Sequence, residues 1–384
     1  MFRPFALGAA LILLGAASRA DDTKTPPFKS IVEDNFAKWD KNHDGKLSAL
    51  EIDLVIKDHN VTDAPAAAVA AIHLFFRKNA TQATITKADL LKDFKGGDDG
   101  RRDQNGGANN IPKTYRMFHT HLSHVPREIF AKPEAPRVPG MTQGYIGDCF
   151  LVASIGAAVH RNPEHVRKLI TVHKDGSCEV TFPGVKTVKV PKLTDAEICL
   201  GSSARDQGLW LNVFEKALGE LTYQTKGSKN PKDIDIDTIS RGGSTADVLK
   251  LLTAHQIVTV SLKPDKPHTK AELAALQGQL HKLMQTATLE RHLMCCATSG
   301  GTLPHGIVSH HAYAIVGYDA ASQTVHIWNP WGGNYDVTLK PGLKPGLENG
   351  YEISKGMFAI PLNDFVHVFS SFLYETPAVA PKGK

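Results

Sequence analysis

The chain has 384 residues and is predicted to be an α+β protein on three observations. Residues 28–95 carry helix signals around one twelve-residue, oxygen-rich loop. Beyond residue 112 the pattern changes to alternating helix and strand. Within that second part a cysteine opens an apolar, small-residue run, and a His-Ala-Tyr and an Asn-Pro-Trp-Gly segment follow far downstream.

The first twenty residues stand apart. Arg3, an apolar run from Phe5 to Ala17, and Ser18-Arg19-Ala20 read as a secretory signal cleaved after Ala20. The run is too short to anchor stably across a bilayer, and no later segment approaches that length. The mature protein is therefore expected to be soluble and secreted or periplasmic. Removing Arg3 and Arg19 from the 44 basic residues leaves 42 against 39 acidic ones, a balance of +3. A charge that small and dispersed argues against a nucleic-acid partner.

Helices are expected from Ser30-x-x-Glu33, a capping box, to near Trp39, and from Asp63 and Pro65 through about Arg77. Lys95–Gly100 and Asp103–Asn110, rich in glycine and asparagine, read as a linker. Cys149–His160 reads as a buried helix and Glu179–Val190 as a strand or hairpin. Trp210–Leu221 is helical, and Thr269-x-x-Glu272 caps a helix running to about Thr286. Strands are expected at Leu293–Thr298, Ala312–Tyr318, Thr324–Trp328, Tyr335–Leu339 and Met357–Ile360, with a helix over Leu362–Phe372.

Asp40-Lys-Asn42-His-Asp44-Gly45-Lys46-Leu-Ser48-Ala-Leu-Glu51 fits a calcium loop at each ligand position. Asp40, Asn42 and Asp44 offer side-chain oxygens, Gly45 permits the sharp turn, and Lys46 offers its carbonyl. Ser48 holds a bridging water, and Glu51 closes the site with two oxygens. The segment resembles the EF-hand family. Aligning Ile85 with Leu47 gives a second loop, Lys78–Asp89, with Lys78, Ala80 and Gln82 where oxygen ligands belong and Ala83 where glycine belongs. It is expected to bind no calcium and to act as a degenerate partner. Ca2+ is the one cofactor implied. Oligomeric state stays open, the second loop serving equally as a pairing surface or a local partner.

Five cysteines are present: Cys149, Cys178, Cys199, Cys295 and Cys296. An odd count fits one free reactive thiol plus up to two bridges, or five unpaired thiols of which four are core residues. Cys295 and Cys296 are adjacent in an expected strand, so their side chains point to opposite faces. With no CxxC pair, a cysteine zinc site is not expected.

Cys149 has the surroundings of a nucleophile. A helix N-terminus and a nearby imidazolium both favour the thiolate. His311 is the expected base and later the acid toward the leaving amine, Asn329 the residue that orients its imidazole, and Trp331 a cover over that bond. Gln143, six residues before Cys149, and the Cys149 N–H are expected to hold the oxyanion. His310 is the rival base.

Six segments in this order resemble the calpains, within the papain-like peptidases: Gln143-x-x-x-Gly147-Asp148-Cys149, Trp210-x-x-x-Phe-Glu215-Lys216-Ala217, Gly242-Gly243-Ser244-Thr245, His311-Ala312-Tyr313, Asn329-Pro330-Trp331-Gly332, and Lys355-Gly356-Met-Phe358 with Asp364-Phe365. The resemblance covers roughly 120–375. It implies a two-lobed core, with a helical lobe bearing Cys149, a strand-rich lobe bearing His311 and Asn329, and the substrate between them. It also implies a Cys149–His311–Asn329 triad with Gln143 as oxyanion donor. Phe150 stands where many calpains have tryptophan, and His310 where glycine usually precedes the histidine.

The expected layout is a signal segment 1–20, an all-α EF-hand pair 28–95, a flexible linker 96–112, a Cys lobe 120–255 and a His/Asn lobe 256–375. The expected function is a secreted, calcium-binding, calpain-like cysteine endopeptidase acting on proteins or peptides. Two other classes compete: a catalytically inactive, calcium-dependent binding module on the same scaffold, and a transglutaminase-like acyl transferase. Loss of a triad member would favour the first, and none is lost. The Asn-Pro-Trp segment and the Gln–Cys spacing argue against the second.

Overall fold

The computed structural model describes residues 25–92, 110–183, 185, 187–226, 238–262 and 268–376. The expected signal segment 1–20, residues 93–95 and most of the expected linker lie outside the described residues. The linker's last positions do not: Asn110 caps a helix by accepting from the Lys113 N–H, so the linker expectation to 112 ran too far.

Helix α1 (Phe28–Trp39) turns Phe28, Val32, Phe36 and Trp39 inward, a helical spacing. It starts behind Pro27 and not at the Ser30 capping box, because proline's fixed φ already sets up the first turn. Strand β1 (Lys46–Ser48) leads into α2 (Ala49–Ile56), where Ser48 and Glu51 form a reciprocal capping box. Helix α3 (Asp63–Lys78) is followed by β2 (Thr84–Thr86) and α4 (Lys87–Leu90), which Thr86 and Asp89 cap in the same way. The two short strands pair antiparallel with Leu47 opposite Ile85. This ribbon means that residues 28–92 are not purely helical. Helix α3 is alanine-rich and buried on nearly every side, as a helix without a polar face must be. It packs against α1, α2, α5 (Ile111–His124) and α8 (Asp195–Leu200).

Helix α6 (Cys149–Arg161) is the centre of the next layer, with Phe150 through Val159 all buried. Around it lie α7 (Pro163–Lys168), α9 (Trp210–Lys226), α10 (Thr245–Thr253) and a small antiparallel sheet, β3 (Ile170–Val172), β4 (Cys178–Val180) and β5 (Val188–Val190).

The remaining strands form one six-stranded antiparallel sheet: β6 (Gln256–Ser261), β7 (Met294–Ala297), β8 (Ala312–Asp319), β9 (Thr324–Trp328), β10 (Met357–Pro361) and β11 (Ser371–Thr376). Their spatial order is β10-β9-β8-β7-β11-β6. Helices α11 (Lys270–Leu289) and α12 (Leu362–Val368) pack on the sheet, α11 against β8 and α12 against β9 and β10. Alternation along β7 separates two cores. Cys295 joins the cluster containing α6, and Cys296 joins the cluster beneath α11 and α12. All five cysteines are free, and all but Cys149 are buried. The reading of four thiols as small core residues therefore holds over the reading with bridges.

One strand and one helix expectation are corrected. Tyr335–Leu339 forms no strand; it follows a 3₁₀ turn at Gly332–Asn334 and pairs only at Val337, with Ile353. The helix expected over Leu362–Phe372 stops at Val368, because Phe372 is taken into β11 opposite Cys296 and Val260. Among the described residues no helix is long and apolar enough to cross a membrane.

Helix α6 meets the sheet at one close approach. A Cβ on Gly156 would lie 2.4 Å from the Trp328 ring. Elsewhere in a helix Gly→Ala gains about 1 kcal/mol. Here Gly156→Ala is expected to cost about 1–3 kcal/mol through overpacking, measured as a lower urea midpoint at unchanged slope. A gain in stability would show that the contact is loose.

Candidate active site

Cys149 is the first residue of α6. Asp148 precedes it at the cap position, with φ −110° and ψ 30°, and its side chain makes no capping bond. The first-turn N–H groups of the helix are thus left facing outward near the sulfur. Burial pushes the Cys149 thiol above its ordinary range. The N–H groups of Ala312, Phe150 and Cys149 itself favour the thiolate and oppose that push, while the Asp148 carboxyl adds to it. The Ala312 contact brings the nucleophile onto the other lobe, against the residue that follows His311.

His311 ends the connection into β8. Its backbone is fixed by Thr298: the His311 N–H donates to Thr298 Oγ1 at 3.1 Å, and the Thr298 N–H donates to the His311 carbonyl at 2.9 Å. Its ring lies edge-on to Tyr313 (centroids 4.9 Å apart) and tilted against Trp331 (5.1 Å). Nε2 lies 2.9 Å from Asn329 Oδ1. The Trp331 N–H donates to the same Oδ1, also at 2.9 Å, so that atom is an acceptor and Nε2 must carry the hydrogen. The lone pair then sits on Nδ1. Burial lowers the His311 pKa from 6.5 to about 4, against the opposing hydrogen bond to Asn329. The imidazole is therefore neutral at pH 7.

Asn329 follows β9 directly and is fully buried. Its N–H donates to the Gly356 carbonyl at 2.9 Å, and its Nδ2 has no hydrogen-bond partner. Gln143 lies beside it, its N–H donating to the Pro330 carbonyl at 2.7 Å. Gln143 Nε2 donates one hydrogen to the Ile146 carbonyl at 2.8 Å and carries a second. His310, the rival base, is exposed in a left-handed conformation, φ +50°, with its ring beside Gly300 and its N–H donating to the Ser299 carbonyl at 3.1 Å. The contact to Asn329 belongs to His311.

Sequence reasoning missed a pair of carboxyls beneath the nucleophile. Asp148 and Glu215 are both buried. Each Glu215 oxygen lies 2.9 Å from the Ser202 N–H, whereas the Asp148 oxygens meet no donor. Burial first, and then the facing Glu215, push Asp148 well above the usual carboxylate range. Burial also raises Glu215, opposed by Ser202. Burial and their mutual proximity keep the two carboxyls from ionising together. The signal lay in Gly147-Asp148-Cys149 and Phe214-Glu215-Lys216, where acids sit inside apolar runs.

The 40–51 loop lies apart from this site. Asp40 and Glu51 are buried, each 5 % exposed. Asp40 accepts from the Asp44 and Gly45 N–H groups, Asn42 Oδ1 from Asp44, Asp44 from Lys46, and Glu51 from Lys41, Asn42 and Ser48. Gly45 takes φ +78°. Among the described residues no three His, Cys, Asp or Glu side chains are gathered as a metal cluster. The loop's donors are instead a mixture of carboxylate, amide, carbonyl and hydroxyl oxygens. This all-oxygen set on a preformed turn suits a hard divalent cation.

The structure gathers a cysteine at a helix start, a neutral imidazole oriented by an asparagine, and a glutamine bonded to the loop after that asparagine, the groups on which a thiol hydrolase would draw. The chain belongs to the calpain family of cysteine proteases. The family model described as calpain family cysteine protease matches residues 125–338, a span that includes Gln143, Cys149, His311 and Asn329. Comparison with curated proteins finds no match.

His311 is buried in its neutral form, so unfolding lets it bind a proton between pH 6.5 and about 4. Its folded pKa is depressed, so its contribution is complete above 6.5 and is lost as pH falls toward 4. His311→Gln is expected to lose less melting temperature than the parent between about pH 7 and about pH 5. Equal losses would assign the acid sensitivity to other buried histidines such as His121 and His160, which burial also depresses.

Proposed function

We propose that the chain is an exported, calcium-binding, calpain-like cysteine endopeptidase that cleaves proteins or peptides through Cys149, His311 and Asn329. The observation that carries the reading is the double acceptor at Asn329 Oδ1. It places hydrogen on His311 Nε2 and leaves Nδ1 to take a proton. In the first step Nδ1 receives the thiol proton as the Cys149 sulfur attacks the carbonyl carbon. The oxyanion is met by the second Gln143 Nε2 hydrogen and the Cys149 N–H. His311 then hands its proton to the departing amine, and a water, deprotonated by the same nitrogen, releases the acyl group. A neutral resting pair means that the ion pair forms only as substrate replaces water in the cleft.

The 40–51 loop is read as a calcium site in which Asp40, Asn42, Asp44, the Lys46 carbonyl, Ser48 and Glu51 hold the ion. Its contribution is to neutralise three carboxylates and hold α1 against α2. The peptide-bond chemistry runs on Cys149, His311, Asn329 and Gln143. Residues 78–89 are read as the non-binding partner, and residues 1–20 as the export signal.

Two tests follow. Unfolded casein is expected to be cleaved by the purified chain and not by Cys149→Ala, while Gln143→Ala lowers kcat roughly 100- to 1000-fold. Absence of cleavage by the parent would favour a binding module on the same scaffold. Terbium luminescence is expected to saturate on the parent and to be lost in Glu51→Gln, with chelator lowering the parent's melting temperature and leaving that of Glu51→Gln unchanged. Cation binding unaffected by the substitution would remove the loop from the site.

A further inference from the structure

The N-terminal unit and the catalytic part share one core. A single apolar cluster runs from Phe28 through Leu252. The seam between them is also polar. Thr194 Oγ1 donates to the Ile56 carbonyl at 2.7 Å, and the Asp195 carboxylate accepts from the Asp63 N–H at 2.8 Å and from Arg127 at 2.6 Å.

At one point the unit reaches the nucleophile loop itself. Arg77, in the last turn of α3, donates through Nη2 to the carbonyl oxygen of Tyr145, four residues before Cys149. The rest of the 143–149 loop is clamped by the catalytic part. The Gly144 N–H donates to Ser202 Oγ at 3.2 Å, the Tyr145 N–H to the Leu200 carbonyl at 3.1 Å, and Gly147 bridges to Arg241. A Cβ on Gly144 would stand 2.0 Å from the Gly201 carbonyl oxygen, so the loop has no room to shift in that direction. The Tyr145 ring is held edge-on by Phe118 of α5, centroids 5.1 Å apart. Arg77 grips this loop from α3, and its charge also acts on Asp148, the residue that sets the start of α6.

We propose that Arg77 is a positioning residue for the nucleophile loop, so that the N-terminal unit completes the active site. Arg77 acts through the Tyr145 carbonyl and does not touch substrate. Its guanidinium draws that carbonyl toward α3 and thereby fixes both Gln143 and Cys149, which lie on either side of it. The inference rests on the peptidase reading for its kinetic arm alone.

The test uses the full chain and its Arg77→Ala, Arg77→Lys and Arg127→Ala variants, with folding checked by thermal melts. Two rates are read: alkylation of Cys149 by iodoacetamide, followed by peptide mass spectrometry, and casein hydrolysis resolved into kcat and KM. Arg77→Ala is expected to lower kcat roughly 10- to 100-fold, with KM within about twofold, and to change the alkylation rate of Cys149. Arg77→Lys, which keeps the charge but not the forked geometry, is expected to fall between the two. Arg127→Ala removes a partner of Asp195, which sits at the seam away from the loop, and is expected to match the parent in both rates. Parent-like rates in folded Arg77→Ala overturn the proposal, as does an Arg127→Ala variant that reproduces its loss. If Arg77→Ala does not fold, Arg77→Lys decides: rates equal to the parent overturn the proposal, and an intermediate rate supports it. Altered alkylation without casein cleavage by any form would keep the positioning role and remove the peptidase reading.

Discussion

The site depends on one packing constraint, the seating of α6 across β8 and β9. The helix carries Cys149 at its first position. The sheet carries His311 just before β8 and Asn329 just after β9, and because these strands run antiparallel, with Ala314 opposite Trp328, those two positions meet. Bringing Cys149 to them then requires only that the helix lie close to this hairpin. The contact of Gly156 with Trp328 permits that closeness, since any side chain there would lift the helix from the sheet. The Ala312 N–H at the Cys149 sulfur is the far end of the same contact.

The residues of the candidate site were more legible in the sequence than the architecture. Residue types with a narrow purpose stood out: a cysteine opening an apolar run, a histidine before a strand, an asparagine before Pro-Trp-Gly. The helices with caps or strong periodicity were also legible, α3, α6, α9 and α11 among them. Elements whose identity depends on partners far along the chain were not. Phe369–Phe372 continues the apolar run of α12 and reads as helix, but β7 and β6 claim it as a strand. Helix α5 carries an Asn110 cap, a proline in its first turn and an apolar face, so it was legible though not read, whereas β6 is a mostly exposed edge strand without a strong local signal. Asp148 and Glu215 lie 67 positions apart, so each acid stands out within its own segment but their pairing does not.

The polar interior around the nucleophile is expensive. Asp148 is buried without a donor, and Asn329 Nδ2 and Gln143 Oε1 are buried without partners. Each such group costs about 1–3 kcal/mol relative to a satisfied one. Other buried groups away from the site, among them Trp210 Nε1 and Thr288 Oγ1, carry the same cost, whereas Lys216 and Glu197 satisfy each other at 2.8 Å. The neutral imidazole follows from the same dryness, because the burial that lowers the His311 pKa also excludes water from Asn329.

Strand β11 gives the fold a direction in time. It follows every other described element in the chain, yet it lies inside the sheet, bonded on one side to β7 and on the other to β6. Residue Glu375 on this strand is buried and ties together the Leu293 N–H, His255 and Arg161. A growing polypeptide that has reached His367 already contains Cys149, His311 and Asn329, but β6 and β7 have no strand to join them. Until residues 371–376 emerge, β6 stays unjoined to the β7–β8–β9–β10 part of the sheet. The order of synthesis thus leaves the joining of β6 and β7 through β11 to the last described residues of the chain.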